Sequence, residues 1–101
     1  MKLVAVTSCP SGVAHTYMSA EALKYAAKLY GVPIKVETQG LTGAENPLTL
    51  TEIQEADYVI LTNDTVISGM ERFKGKKAVR LPAQDIIDNA EIIISRLVER
   101  N

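Results

Sequence analysis

Leu3-Val4-Ala5-Val6 is an apolar run without alternation, the pattern of a strand covered on both faces in a parallel sheet. It predicts a first strand over Lys2–Ser8. Apolar residues then recur at helical spacing, and a helix is expected from about Ala14 to Tyr30. In that reading Met18, Ala22, Ala26 and Leu29 face the core, while Glu21, Lys24 and Lys28 form the wet face. Gly31 and then Pro33 supply the stop. Ile34–Thr38 reads as a second strand and Gln39–Ala44 as a loop with two glycines. Thr49 or Thr51 can cap a short helix running to about Ala56, and Glu52 stands where a capping box needs it. Tyr58–Thr62 is a third buried strand, followed by a polar stretch from Asn63 to Gly69. Ala78–Leu81 is a fourth strand. The last helix is expected over about Ala83–Glu99, with Ile86, Ala90, Ile93, Ile94 and Leu97 as its apolar stripe.

This alternation predicts one α/β domain over residues 1–101. Its expected fold is a four-stranded parallel sheet with helices on both faces, a Rossmann-like or flavodoxin-like three-layer sandwich. In such sheets ligands bind beyond the carboxyl ends of the strands. Cys9 follows the first strand, Gln39 the second and Asp64 the third, so Gln39, Gly40 and Asp64 are candidates for a rim around Cys9. Each also has a plainer reading, a turn for Gln39 and Gly40 and a turn cap for Asp64.

Charge and composition narrow the chemistry. With 11 basic and 12 acidic residues and no basic stripe, nucleic acid is not an expected partner. No long apolar segment marks a membrane span or signal peptide. One cysteine excludes an internal disulfide and CxxC chemistry, and fits a reducing cytoplasm. One cysteine with one histidine makes no convincing zinc site, and neither a metal nor a cofactor is expected.

That cysteine stands in Cys9-Pro10-Ser11-Gly12-Val13-Ala14-His15-Thr16, between the first strand and the first helix. Amides at a helix N-terminus attract anions and favour a thiolate over a thiol. The backbone from Ser11 to Thr16 supplies N–H donors, Ser11 and Thr16 add hydroxyls, Pro10 shapes the turn, and Gly12 allows a close approach to an anion. His15 can orient the loop or touch the anion, or simply bond to backbone at the helix start. A loop of this build can hold a phosphate and its sulfur can carry one covalently; the plainer readings are a small buried thiol at Cys9 and helix caps at Ser11 and Thr16.

Val4-Ala5-Val6-Thr7-Ser8-Cys9-Pro10-Ser11-Gly12-Val13-Ala14-His15-Thr16 closely resembles the start of the fructose-type enzyme IIB domain of the bacterial phosphoenolpyruvate-dependent sugar phosphotransferase system. The likeness continues through Met18–Leu23, Lys35-Val36-Glu37-Thr38-Gln39-Gly40, Glu45-Asn46, Leu48-Thr49, Ala56-Asp57 and Arg72-Phe73-Lys74-Gly75-Lys76. After the third strand this chain reads Thr62-Asn63-Asp64, where such domains often read Ala-Ala-Asp. The resemblance implies a phosphorelay. A IIA domain passes a phosphoryl group from phosphohistidine to Cys9, and IIB passes it to a sugar, fructose or one like it, held by the membrane permease IIC. It implies Cys9 as the phosphorylation site and Pro10 through Thr16 as its cradle.

Other readings compete. A low-molecular-weight phosphatase or arsenate reductase also uses a cysteine after the first strand. It needs an arginine six positions on, where this chain has His15. A flavodoxin-like FMN module fits the loop but not the scarcity of aromatic residues, at 5% with no Trp. A regulatory IIB-like domain would share every feature named above.

Overall fold

The computed structural model describes residues 1–10 and 13–101. Strand β1 (Leu3–Thr7) is buried along its whole length, as its unbroken apolar run requires. It lies between β2 (Ile34–Gly40) and β4 (Tyr58–Thr62), parallel to both. Strand β5 (Ala78–Leu81) runs parallel to β4, and β3 (Gly43–Glu45) runs antiparallel to β2. Among the described residues the sheet has five strands, in the order β3-β2-β1-β4-β5.

The expected parallel strands and flanking helices are present, and one strand is added. The segment read as a loop after Thr38 is a hairpin. Strand β2 continues to Gly40, Leu41 and Thr42 make the turn, and Gly43 pairs back with Gly40. Gly-Ala-Glu is a poor strand sequence, so this pairing is made by the hairpin rather than by side-chain propensity.

Alternate residues of the strands feed opposite faces. Leu3, Ala5, Val36 and Ile60 pack under α1 (Val13–Leu29) and α3 (Ala83–Arg100). Val4, Val6, Val59 and Leu61 pack with Ile53 of α2 (Leu50–Glu55) and with Phe73 of a short 3-10 turn (Met70–Phe73). Helix α3 keeps the expected stripe, with Ile86, Ala90, Ile94 and Leu97 buried and Ile93 packed beside them, and departs from helical angles at Asn89.

Helix α1 is rotated from its expected orientation. Met18 and Leu29 are 51% and 55% exposed, Ala22 is half-buried, and the buried side is Thr16, Ser19, Ala20, Leu23, Ala26 and Ala27. Small residues on that side let α1 approach the sheet and α3 closely, and such close approach outweighs the larger area that Met18 and Leu29 would have buried.

The ends of these elements follow their local chemistry. Gly31, at φ 65°, lets α1 close with Gly31 N–H donating to the Lys28 carbonyl and Val32 N–H to the Ala27 carbonyl. Thr49 and Glu52 form the capping box on α2. Among the described residues, no helix is long and apolar enough to cross a membrane.

Candidate functional site

Cys9 leaves the carboxyl end of the central strand, and the residue before it is held from both sides. The Ser8 amide donates to Thr62 Oγ1 at 2.9 Å, and that hydroxyl donates back to the Ser8 carbonyl at 3.0 Å. Ser8 Oγ donates to the Gln39 carbonyl at 3.2 Å. One residue upstream, buried Thr7 donates its hydroxyl to the Thr16 carbonyl at 3.0 Å, tying the strand to the first turn of α1. Ser19 Oγ adds bonds to the carbonyls of His15 and Thr16, at 2.8 and 3.0 Å. The thiol therefore stands on a backbone fixed to β2, β4 and α1.

Cys9 is half-buried, and its sulfur lies 3.8 Å from His15 Nδ1, within hydrogen-bonding range for sulfur. The first turn of any helix has amides with no acceptor inside the helix. In α1 that turn is Val13–Thr16, and it begins beside the sulfur. Pro10 and Ala14 are exposed, His15 is half-buried, and Thr16 is buried beneath the turn. The expectations placed on Ser11 and Gly12, and on the side chain of Val13, lie outside the described residues.

The rim candidates have mixed fates. Gln39 and Gly40 are the last residues of β2 rather than a loop after it, and Asp64 follows β4; these two strands flank β1. Gln39 is 9% exposed, and its amide is engaged by protein groups. Its Nε2 donates to Glu37 Oε2 at 2.7 Å and to the Ser68 carbonyl at 3.0 Å, and its Oε1 accepts from the Ser68 amide at 2.9 Å. Gly40 is exposed at the hairpin. Among the described residues Asp64 bonds neither within a turn nor to the thiol loop: its Oδ2 accepts from the Ala83 amide at 2.6 Å, at the start of α3.

Sequence reasoning missed the ion pair beside this rim. Glu37 is 1% exposed, and Arg72 meets it through two parallel bonds, Nη1 to Oε1 at 2.9 Å and Nη2 to Oε2 at 3.0 Å. The Leu48 amide also donates to Glu37 Oε1, at 2.8 Å. Burial pushes the Glu37 carboxyl up, but the bonds from Arg72, Gln39 and the Leu48 amide together outweigh it and hold the group below the usual value. The Arg72 guanidinium is raised by its hydrogen bond to Glu37 against the opposing effect of burial. One signal was available: Glu37 sits opposite Val6 in the register, a core-facing position where a carboxylate must find a partner. Because Arg72 is committed to Glu37 and position 15 is histidine, the described residues do not assemble the arginine fork of a phosphatase loop. They also gather no group of three His, Cys, Asp or Glu side chains suited to a metal ion.

Comparison with known proteins agrees with this architecture. Residues 4–96 match the family model described as the lactose/cellobiose-specific IIB subunit of the phosphotransferase system. The chain is 54% identical over 96 residues to the fructose-like EIIB component 2 of Escherichia coli K12, covering 95% of this chain and 91% of that protein. It is 46% identical over 99 residues to the fructose-specific EIIB component of Haloferax volcanii, covering 98% of this chain and 62% of the other. A third relative, the fructose-specific EIIABC component of Bacillus subtilis, is 43% identical over 100 residues. The match takes in 99% of this chain but 16% of that longer protein, whose name joins the IIA, IIB and IIC components. Among solved structures, an enzyme IIB subunit from Escherichia coli K12 superimposes with a TM-score of 0.91 at 40% identity, covering 98% of this chain and 92% of that one. A domain of the fructose-specific IIABC component of Borrelia burgdorferi gives 0.87 at 47% identity, covering 94% and 90%. Fold, thiol loop and relatives converge: the chain belongs to the IIB family of the sugar phosphotransferase system, and within it to the fructose-like EIIB components, which are phosphotransferases.

Proposed function

We propose that Cys9 is the phosphate-carrying nucleophile of this IIB component. The thiolate attacks the phosphorus of a phosphohistidine on a IIA domain. The S–P bond forms as the P–N bond breaks, and the departing imidazole keeps the bonding pair and takes up a proton. In the second transfer a sugar hydroxyl oxygen attacks the same phosphorus, the S–P bond breaks, the sulfur leaves as thiolate, and the hydroxyl proton is released to solvent. The sugar, fructose or a fructose-like hexose, is presented by a membrane IIC permease, and the relay works at the cytoplasmic side.

The loop's part is to stabilise charge. Amides from Ser11 to Thr16 receive the phosphoryl oxygens, with the Ser11 hydroxyl and His15 beside them, and Pro10 shapes the turn. Thr16, buried with its carbonyl bonded to Thr7 and Ser19, braces the turn from below. The observation that carries this reading is half-buried Cys9 at the end of the central strand, its sulfur 3.8 Å from His15 Nδ1 and beside the opening turn of α1.

The test is intact-mass spectrometry after incubation with phosphoenolpyruvate, the general relay proteins and a IIA domain. One added phosphoryl group, mapped to Cys9 and lost in Cys9→Ser, is the expected result. Uptake by Cys9→Ser at the wild-type rate would remove Cys9 from the mechanism. The variant keeps its circular dichroism spectrum, since serine differs from cysteine by one atom at a half-exposed position.

A further inference from the structure

Two stretches that carry the family likeness, Glu37 to Gly40 and Arg72 to Lys76, take no part in the proposed transfer, yet the structure joins them. Arg72 fixes the Glu37 carboxylate with its paired bonds, and Glu37 Oε2 accepts from Gln39 Nε2 at 2.7 Å. That bond decides which way round the Gln39 amide lies. Its Oε1 is thereby turned to the Ser68 N–H, from which it accepts at 2.9 Å, while Nε2 also donates to the Ser68 carbonyl at 3.0 Å. Arg72 places two further donor bonds on the same segment, Nε to the Gly69 carbonyl at 2.8 Å and Nη2 to the Ser68 carbonyl at 3.1 Å. Gly69 is required there, because a Cβ would lie 2.6 Å from Arg72 Nε, a group held in place by Glu37. The backbone of Gln39, meanwhile, accepts from Ser8 next to the thiol. One residue thus joins the thiol strand to the segment after β4.

We infer that Gln39, oriented by the Glu37–Arg72 pair, is a positioning residue that sets segment 63–69 against the thiol strand for the docking of the protein phosphoryl donor. The inference rests on the reading of Cys9 as carrier. Its occupant is the phosphohistidine-bearing domain, which must bring its ring within bonding distance of Cys9 and so cover the rim around it. That rim bears two apolar side chains that the fold leaves in water, Val66 at 89% exposure in this segment and Leu41 at 103% in the β2–β3 turn. They follow the two strands that flank β1. A large partner reads their spacing; a small reagent at the sulfur does not.

The experiment compares wild type with Gln39→Met and Gln39→Glu. Methionine keeps the length without the amide, and glutamate sets a second carboxylate against Glu37. Steady-state transfer from a phosphorylated IIA domain is measured alongside alkylation of Cys9 by iodoacetamide. In both variants the KM for the donor rises about tenfold, while kcat and the alkylation rate stay within about twofold of wild type. An unchanged KM, or a fall in kcat matched by a fall in alkylation, overturns the inference and leaves Cys9 as carrier. A wild-type chain that takes no phosphoryl group on Cys9 overturns both. Amide hydrogen exchange in the wild-type protein decides the point if the variants do not fold. Slow exchange at Ser68 is required, and exchange at the rate of an open loop overturns the inference.

Discussion

The carrier role proposed for Cys9 asks for a sulfur that is reachable while its backbone stays still, and the two demands are met by different atoms. Reach comes from the side chain of this half-buried residue, and stillness from the hydroxyls of Thr7, Ser8 and Thr62. His15 has the nearest ring nitrogen to the sulfur among the bonds described, at 3.8 Å. His15→Ala lowers the rate of phosphoryl uptake about tenfold, the scale of one hydrogen bond to a charged group, with stability changed by less than about 0.5 kcal/mol. Time-resolved mass spectrometry and urea unfolding check the two halves of that statement. An unchanged uptake rate would reduce His15 to a helix-start residue. At this scale the sequence showed the thiol loop well, because its residues are contiguous. It hid the Glu37–Arg72 pair, whose members are 35 positions apart and meet only through the sheet order. It also left Gln39 and Asp64 undecided, since a rim ligand and a structural bond use the same side chain.

Among the elements, those with strong local signals matched expectation. The third and fourth strands have the expected bounds as β4 and β5, and α2 carries the capping box foreseen at Thr49 and Glu52. Thr49→Ala removes the side-chain cap while leaving the backbone N–H that donates to Glu52, and lowers stability by about 1 kcal/mol in urea denaturation. A loss near zero would mean that Lys76, bonded to the Ala56 carbonyl at 2.6 Å, holds α2 by its other end. The face of α1 was less legible because alanines occupy both flanks of the stripe, and their small area does not separate two orientations about one residue apart. Strand β3 had no signal of its own. The 3-10 turn depends on Arg72, and Arg72→Met strands the Glu37 carboxylate without its cation. Breaking a buried pair in this way costs about 3–5 kcal/mol, well above the Thr49 effect. If calorimetry ranks the two variants the other way, the pair is not the principal anchor of the segment.

At the level of the whole molecule, the pair makes stability depend on acidity in a defined direction. Glu37 has a lower carboxyl value folded than unfolded, so its contribution is complete above the unfolded value of about 4.3. It is lost as pH falls through the lower folded value. Urea midpoints of wild type and Glu37→Gln therefore differ most near neutrality and converge as pH falls past the unfolded value and through the lower folded one. A gap that stays constant with pH would show that the carboxylate's charge is not what stabilises the fold. The overall architecture was legible because burial of β1 and β4 on both faces admits few arrangements, and a central β1 puts the thiol at mid-sheet.

Helices α1 and α3 share one face and both start from the carboxyl edge of the sheet, so both direct the positive poles of their backbone dipoles toward the same side. Asp64 supplies α3 with a resident negative charge at its leading amide. A doubly charged visitor thus meets one pole already quenched by the chain itself and another whose neighbour is sulfur. By silencing a decoy, that carboxylate tilts the local field toward Cys9.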